Sequence, residues 1–190
     1  MNKSNNPLFL DFLKQYVNIN SKELNRLLNL FELQKYQNKT HIVKPSEANN
    51  TLFFIISGLV RYYYLTDDGK EWNRAFLAEG MMSTSLAGGL KSIDHYGIQV
   101  IEDSEILLAD FSEFQLLFND NPMIERLQRK LIENILITKM NRERSFLQSS
   151  AKQRYIDFVE QYPEIFQRVT QYHLASYLGI TEASLSRIIS

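Results

Sequence analysis

Apolar residues follow three rhythms along this chain, and each predicts a different kind of element. In residues 7–35 the spacing is helical. Leu8, Phe9, Phe12, Leu13 and Tyr16 recur three and four apart, and after Ser21, a suitable N-cap, Leu24, Leu27, Leu28 and Phe31 repeat the pattern. From about 36 to 111 short β-prone runs take over: HIVK (41–44), TLFFII (51–56), LVRYYYLT (59–66), WNRAFL (72–77), GIQVI (97–101) and EILLADF (105–111). Turn-forming residues separate them, and strands at intervals of roughly ten residues predict a small sandwich or barrel. Asp68-Gly69 between two such runs is the strongest hairpin signal. In the first of those two runs Leu59, Arg61, Tyr63 and Leu65 share one face, and Val60, Tyr62 and Tyr64 the other. Trp72 and Phe76 are expected to pack against the tyrosines.

Residues 122–149 return to a helical rhythm without an internal Gly or Pro. Two apolar stripes run along this stretch. Ile124, Leu127, Leu131 and Ile135 form one; Ile132, Leu136, Met140 and Leu147 project about 120° away. A helix with two such stripes must bury two surfaces. Either it lies in the middle of one core, or its second stripe meets a second copy of the chain, which is the more economical solution. Ser149-Ser150 interrupts the pattern as a hinge. A further helix carries Tyr155, Phe158, Val159 and Tyr162, and Pro163 stops or kinks it.

The last twenty residues form a tightly patterned pair. Thr170 can cap a helix reaching about Leu178, with Leu174, Ala175 and Leu178 facing inward. Gly179 stands where the chain must reverse, and it can take φ > 0 without steric cost. Ile180 follows as an anchor, Thr181 can cap a second helix, and Leu185 and Ile188 face inward. Glu182, Ala183, Ser184, Ser186 and Arg187 are left pointing largely outward. This is the pattern of a helix-turn-helix, whose second helix enters the major groove of double-stranded DNA. Arg187 could bond guanine or a phosphate, and Thr181, Ser184 and Ser186 could reach phosphates or bases. A helical hairpin with a purely structural role fits the same spacing.

Charge changes this picture modestly. Residues 1–122 carry 11 basic and 15 acidic residues, a net of −4; residues 123–190 carry 10 and 7, a net of +3. The basic half is the half that holds the helical pair. The absence of Cys excludes disulfides, thiolate metal sites and Cys nucleophiles. No apolar run approaches the ~18 residues of a membrane span. The N-terminal segment lacks the order of a signal peptide, so a cytoplasmic location and no membrane partner are expected. His41, His95 and His173 lie far apart without metal-ligand spacing and are expected at the surface or in caps. Asp67, Asp68 and Glu71 read as a solvated turn. No catalytic motif is present, so no enzyme and no metal are expected.

Two stretches, FFIISGLVRYYYLTDDGKE (53–71) and QYPEIFQRVTQYHLASYLGITEASLSRI (161–188), flank the long helix. In that order they resemble the Crp/Fnr family of bacterial transcription regulators over about residues 20–190. The resemblance implies an α+β fold: N-terminal helices on an antiparallel β-roll, a cyclic-nucleotide-binding-like jelly roll, then a long dimerisation helix and a C-terminal helix-turn-helix. It implies a sensor in residues 1–121, the dimerisation helix in 122–149 and DNA binding in 150–190, with Thr170 joining the DNA-facing residues. It further implies a homodimer that engages RNA polymerase. In the family a Gly-Glu pair and an Arg hold the cyclic nucleotide. Thr84 and Ser85 stand at the first two positions and Tyr96 at about the third. Neither the ribose carboxylate nor the phosphate-pairing guanidinium is therefore present, and tight binding of cyclic AMP is not expected. No cofactor is expected. Tyr63, Thr84, Ser85 and Tyr96 are left as a possible pocket for another small-molecule effector, or Thr84 and Ser85 simply cap a helix. At Ala183 many members carry a carboxylate, which leaves the target sequence open. The family's β-wing would need residues after Ser190, and none is expected here. The competing reading is a cupin-like β-roll, binding a small molecule or acting as an enzyme, with an accessory helical tail.

Overall fold

The computed structural model describes residues 5–18, 20–84 and 95–190. Among these residues the chain forms eight α-helices and eight strands. Two short helices, α1 (Pro7–Tyr16) and α2 (Ser21–Leu28), come first. Asn6 and Asn20 cap them, each accepting a backbone N–H through its side-chain carbonyl. Asn20, not Ser21, is therefore the cap of α2. The strands follow: β1 (Glu32–Tyr36), β2 (His41–Val43), β3 (Thr51–Ser57), β4 (Val60–Leu65), β5 (Glu71–Leu77), β6 (Met82–Thr84), β7 (Tyr96–Val100) and β8 (Ser104–Asp110). The long helix of the expected design is α4 (Pro122–Gln148), preceded by the short α3 (Phe111–Leu116). Last come α5 (Ala151–Gln161), α6 (Pro163–Phe166), α7 (Gln171–Leu178) and α8 (Glu182–Ile189).

The strands make two antiparallel sheets, ordered β1-β8-β3-β6 and β2-β7-β4-β5. Phe53, Ile55, Val60, Tyr62, Ile98, Val100 and Ile106 fill the space between them. This is the small sandwich that the strand spacing predicts and the β-roll that the resemblance implies. One helical expectation fails: Glu32–Tyr36 is a strand, paired antiparallel with β8 from Glu32 opposite Leu108 to Tyr36 opposite Ser104. Its five residues alternate around Leu33 and have an unpaired partner in β8, so tertiary pairing overrides helix propensity.

A second core lies on the other side of the first sheet. Phe9, Phe12 and Leu13 of α1 meet Phe54, Leu107 and Phe114, together with Ile124, Leu127 and Leu131 of α4. The first apolar stripe of α4 is thus buried at its N-terminal half, where Lys130 Nζ also donates to the Tyr16 carbonyl at 3.0 Å. A third core, Phe76, Ala78, Phe158, Ile165, Leu174, Ala175, Leu178 and Leu185, joins the C-terminal helices to β5.

The second stripe of α4 is treated differently. Leu136, Met140 and Leu147 are 55, 59 and 79% exposed, and Ile132 is half-buried. No helix among the described residues is long and apolar enough to cross a membrane.

Candidate nucleic-acid interface and effector cleft

The terminal helical pair is built by its caps. Thr170 Oγ1 accepts the His173 N–H at 3.2 Å and Thr181 Oγ1 accepts that of Ser184 at 3.2 Å. At the turn, the Gly179 N–H donates to the Ser176 carbonyl and the Ile180 N–H to that of Ala175, a Schellman closure. Gly179 has φ of 69°, and a Cβ there would lie 2.6 Å from the Phe146 ring. The turn therefore needs glycine for two reasons: the left-handed backbone and the close approach of α4. Leu185 is fully buried against α7 while Thr181, Glu182, Ala183, Ser186 and Arg187 are exposed. Ser184 is half-buried, and Arg187 folds back along α8 to the Ala183 carbonyl and the Ser184 hydroxyl, both at 3.3 Å. Thr170 is exposed as well, at the start of α7. The residues expected to face DNA are thus exposed, except that Ser184 is half-buried and partly occupied with capping.

The opposite side of α7 is docked on β5 by a polar joint. The backbone N–H of Asn73 donates to Ser176 Oγ at 2.8 Å, and that hydroxyl donates to the Glu71 carbonyl at 2.9 Å. Asn73 Nδ2 donates to the His173 carbonyl at 3.0 Å and faces His173 Nδ1 at 3.2 Å. Asn73 Oδ1 accepts from Arg61 Nη1 at 3.1 Å, so the amide cannot flip without losing that bond. His173 Nδ1 must then be the acceptor, with the ring proton on Nε2. Burial, with the Arg61 charge adding to it, pulls His173 down to about 4 and keeps it neutral. Arg61 is itself buried and fully engaged: Glu71 at 2.6 Å, Gln99 at 2.8 Å, and the Tyr63 ring 4.3 Å below its guanidinium. Farther along, Arg168 bridges to Glu79 and Glu102, whose carboxylates hold its guanidinium above its usual range. His173, expected at the surface or in a cap, is thus a half-buried contact between β-roll and helix-turn-helix.

Between β4–β7, α4 and the C-terminal helices opens a cleft of about 570 Å³, within the size range of small-molecule sites. Thr84 and Tyr96 line it. Ser85 lies outside the described residues. Tyr63 does not line it: its ring covers Gly97, where a Cβ would sit 2.5 Å away, and its hydroxyl meets His41 Nε2 at 3.0 Å. The neighbouring Tyr62 is the tyrosine that reaches the cleft, as strand alternation requires once the core side is known.

A β-bulge decides which cation joins them. Tyr62 pairs with Ala75 and Tyr63 with Asn73, leaving Arg74 as the extra residue of β5. Arg74 is thereby turned to the side of Tyr62 and Tyr96, its guanidinium 4.3 Å from the Tyr96 ring centre, while Asn73 is given to α7. The same bulge separates the expected aromatic partners: Trp72 opposes Tyr64, but Phe76 opposes Arg61 and joins the C-terminal core. From α4, Lys139 and Arg142 complete the cleft's cations. Sequence reasoning missed all three. Only the placement of a Lys and an Arg on the first-stripe side of α4 could have pointed to two of them. Among the described residues no three His, Asp or Glu side chains gather as a metal site, which the cupin-like alternative would use.

No family model matches the chain. Among curated proteins it is similar to the anaerobic regulatory protein of Pasteurella multocida, at 25% identity over 187 positions, covering 90% of this chain and 67% of that protein. Among solved structures, FixK2 from Bradyrhizobium japonicum has a TM-score of 0.76 at 18% identity, covering 84% of this chain and 82% of its own. A protein assigned to the Crp/Fnr family, from Eubacterium rectale, has a TM-score of 0.73 at 17% identity and covers 97% of this chain and 85% of its own.

Proposed function

We propose that this chain, which resembles the Crp/Fnr family in sequence and has its fold, is itself a DNA-binding transcription regulator that works as a cytoplasmic homodimer. The observation that carries this reading is the open outer face of α8, set by Gly179 and two threonine caps, with Arg187 and Ser186 on it. The exposed stripe Leu136, Met140, Leu147 on α4 supports the dimer. Burying such side chains against a second copy would stabilise by roughly 1.5–3 kcal/mol each, and the two-fold axis would present two recognition helices. On this reading residues 1–121 sense, 122–149 dimerise, 150–190 bind DNA, and RNA polymerase is the further partner.

We also propose that regulation does not use cyclic AMP. Thr84 is buried and accepts weakly from Gln128 Nε2 at 3.5 Å, and among the described residues no carboxylate lines the cleft to hold a ribose.

Selection of bound duplexes from a random pool tests the reading. It is expected to enrich paired half-sites about one helical turn, ~34 Å, apart, with affinity falling steeply as salt rises. Arg187→Ala should weaken the selected site by about 1–3 kcal/mol. A pool that shows no enrichment, with the protein a monomer by sedimentation, rules the reading out.

A further inference from the structure

Helix α7 is tied to the β-roll by bonds that an added proton breaks. β5 stands at the edge of its sheet, and its outward backbone groups bond α7: the Asn73 N–H and the Glu71 carbonyl both meet the Ser176 hydroxyl. Beside them Arg61 holds the side-chain oxygen of Asn73, which turns the amide's NH2 toward the ring nitrogen and carbonyl of His173. That ring nitrogen accepts only while it carries no proton. Protonated, it sets N–H against N–H with a guanidinium close behind. Burial is the largest influence against that proton; Arg61 of β4 also opposes it, and Glu71 of β5 favours it. His41 of β2 meets the Tyr63 hydroxyl and is likewise held below its usual value by burial and Arg61.

A second tie fails in the same direction. Arg168, in the loop that leads to α7, donates to Glu79 at 2.8 and 3.0 Å and to Glu102, which stand in the β5–β6 and β7–β8 turns. Glu79 also accepts the Gly58 N–H at 2.7 Å. Burial pushes the Glu79 carboxyl up, but its bonds to Arg168 and to the Gly58 amide outweigh that and hold it below its usual value. Charge-assisted bonds of this kind need the carboxylate ionised. We infer that the seat of α7 on the β-roll is an acid-released latch: proton uptake by His173, and then by Glu79, lifts the helix-turn-helix off β5 while both halves stay folded.

Docked, His173 takes its proton only at about pH 4; freed, it does so near 6.5. The docked state therefore binds fewer protons. Its advantage is whole above 6.5 and is lost as pH falls toward 4, with Glu79 adding its share below the ordinary carboxylate value of 4.5. At pH 5 the linkage from His173 alone multiplies the ratio of open to docked forms by about thirty. In a regulator that reads paired half-sites, release unties the recognition helix from its fixed place, so operator affinity falls in acid. That consequence rests on the reading above; the latch itself does not.

The test uses the full chain without DNA, so its failure and the failure of DNA binding are separate results. The Asn73 backbone N–H bonds Ser176 across the joint, so its hydrogen exchange, followed by NMR, reports even a rarely opened latch. Corrected for the intrinsic pH dependence of exchange, its protection is expected to fall about thirtyfold from pH 7.5 to 5.0. Leu107, in the middle of the other sheet, should keep its protection. His173→Gln keeps an acceptor for the Asn73 amide but does not titrate, and should shrink the fall to about threefold or less. Asn73→Asp offers His173 a carboxylate, so there the fall should vanish or reverse; it keeps the test decisive if His173→Gln fails to seat α7. Arg168→Gln should lower the protection at both pH values. Constant Asn73 protection in wild type, an equal fall at Leu107, a fall that either seated variant of the joint retains in full, or undiminished protection in Arg168→Gln overturns the inference.

Discussion

Arg61 and Arg74 belong to paired neighbouring strands, and both stand between the β-roll and the C-terminal helices, yet their surroundings are opposites. Arg61 has a carboxylate, two amides and an aromatic face, and every bond it makes runs to another part of the joint. Arg74 has three tyrosine rings within 6 Å and an Nε with no partner, and its charge repels that of Lys139. A buried cation whose hydrogen bonds are all satisfied from within holds the structure together. One left short of an acceptor, in a cleft, is available to a ligand.

The largest test of this contrast is Arg61→Met. It strands Glu71 and the Asn73 side-chain Oδ1 without their cation and should cost about 3–5 kcal/mol in urea unfolding, as breaking a buried pair does. If Arg61→Met proves as harmless as Arg74→Gln, the two sites are not different in kind.

Lys139→Met should move stability the other way. The amine is held at about 7 in the fold but titrates above 10 when unfolded. Its contribution is thus most favourable at high pH and is lost as pH falls toward 7, where the folded state resists the charge that the unfolded state accepts. At pH 7 the substitution should raise the melting temperature by about 2–4 °C in protein free of ligand. A lower melting temperature would show that Lys139 already has its counter-charge.

The smallest effect sharpens the joint. His173 is neutral in the fold down to about pH 4, whereas an unfolded histidine takes a proton near 6.5. Stability from this group is complete above 6.5 and declines as pH drops from there toward 4. Thermal melts between pH 7.5 and 5.5 should therefore fall in wild type and fall less in His173→Gln. His41, also held below its usual value by burial and by Arg61, supplies the remaining slope. Identical slopes in the two proteins would remove His173 from the joint's energetics.

How far the residues alone reach is clear from particular cases. The hairpin at Asp68-Gly69, the two-striped helix and the turn at Gly179 were all legible, because each is set by local chemistry: positive φ, capping oxygens and a 3.6-residue period. The strand Glu32–Tyr36 was not, since its evidence is a partner more than sixty residues away in β8. Of the residues expected around an effector, Thr84 and Tyr96 line the cleft, whereas Tyr63 turns to the other side of its strand and covers Gly97.

By itself the sequence determined the order of the elements, their caps, the open face of α8 and the apolar stripe left over on α4. Only the tertiary structure decided which charges meet. One extra residue in β5 sends Arg74 into the cleft and Asn73 to α7, and strand periodicity read without pairing would have reversed both. Helix spacing likewise says that Lys139 and Arg142 are near each other, but not that β5 brings a third cation to them. Local preferences act over a few residues, whereas the energy of a buried charge depends on every group that folding places around it.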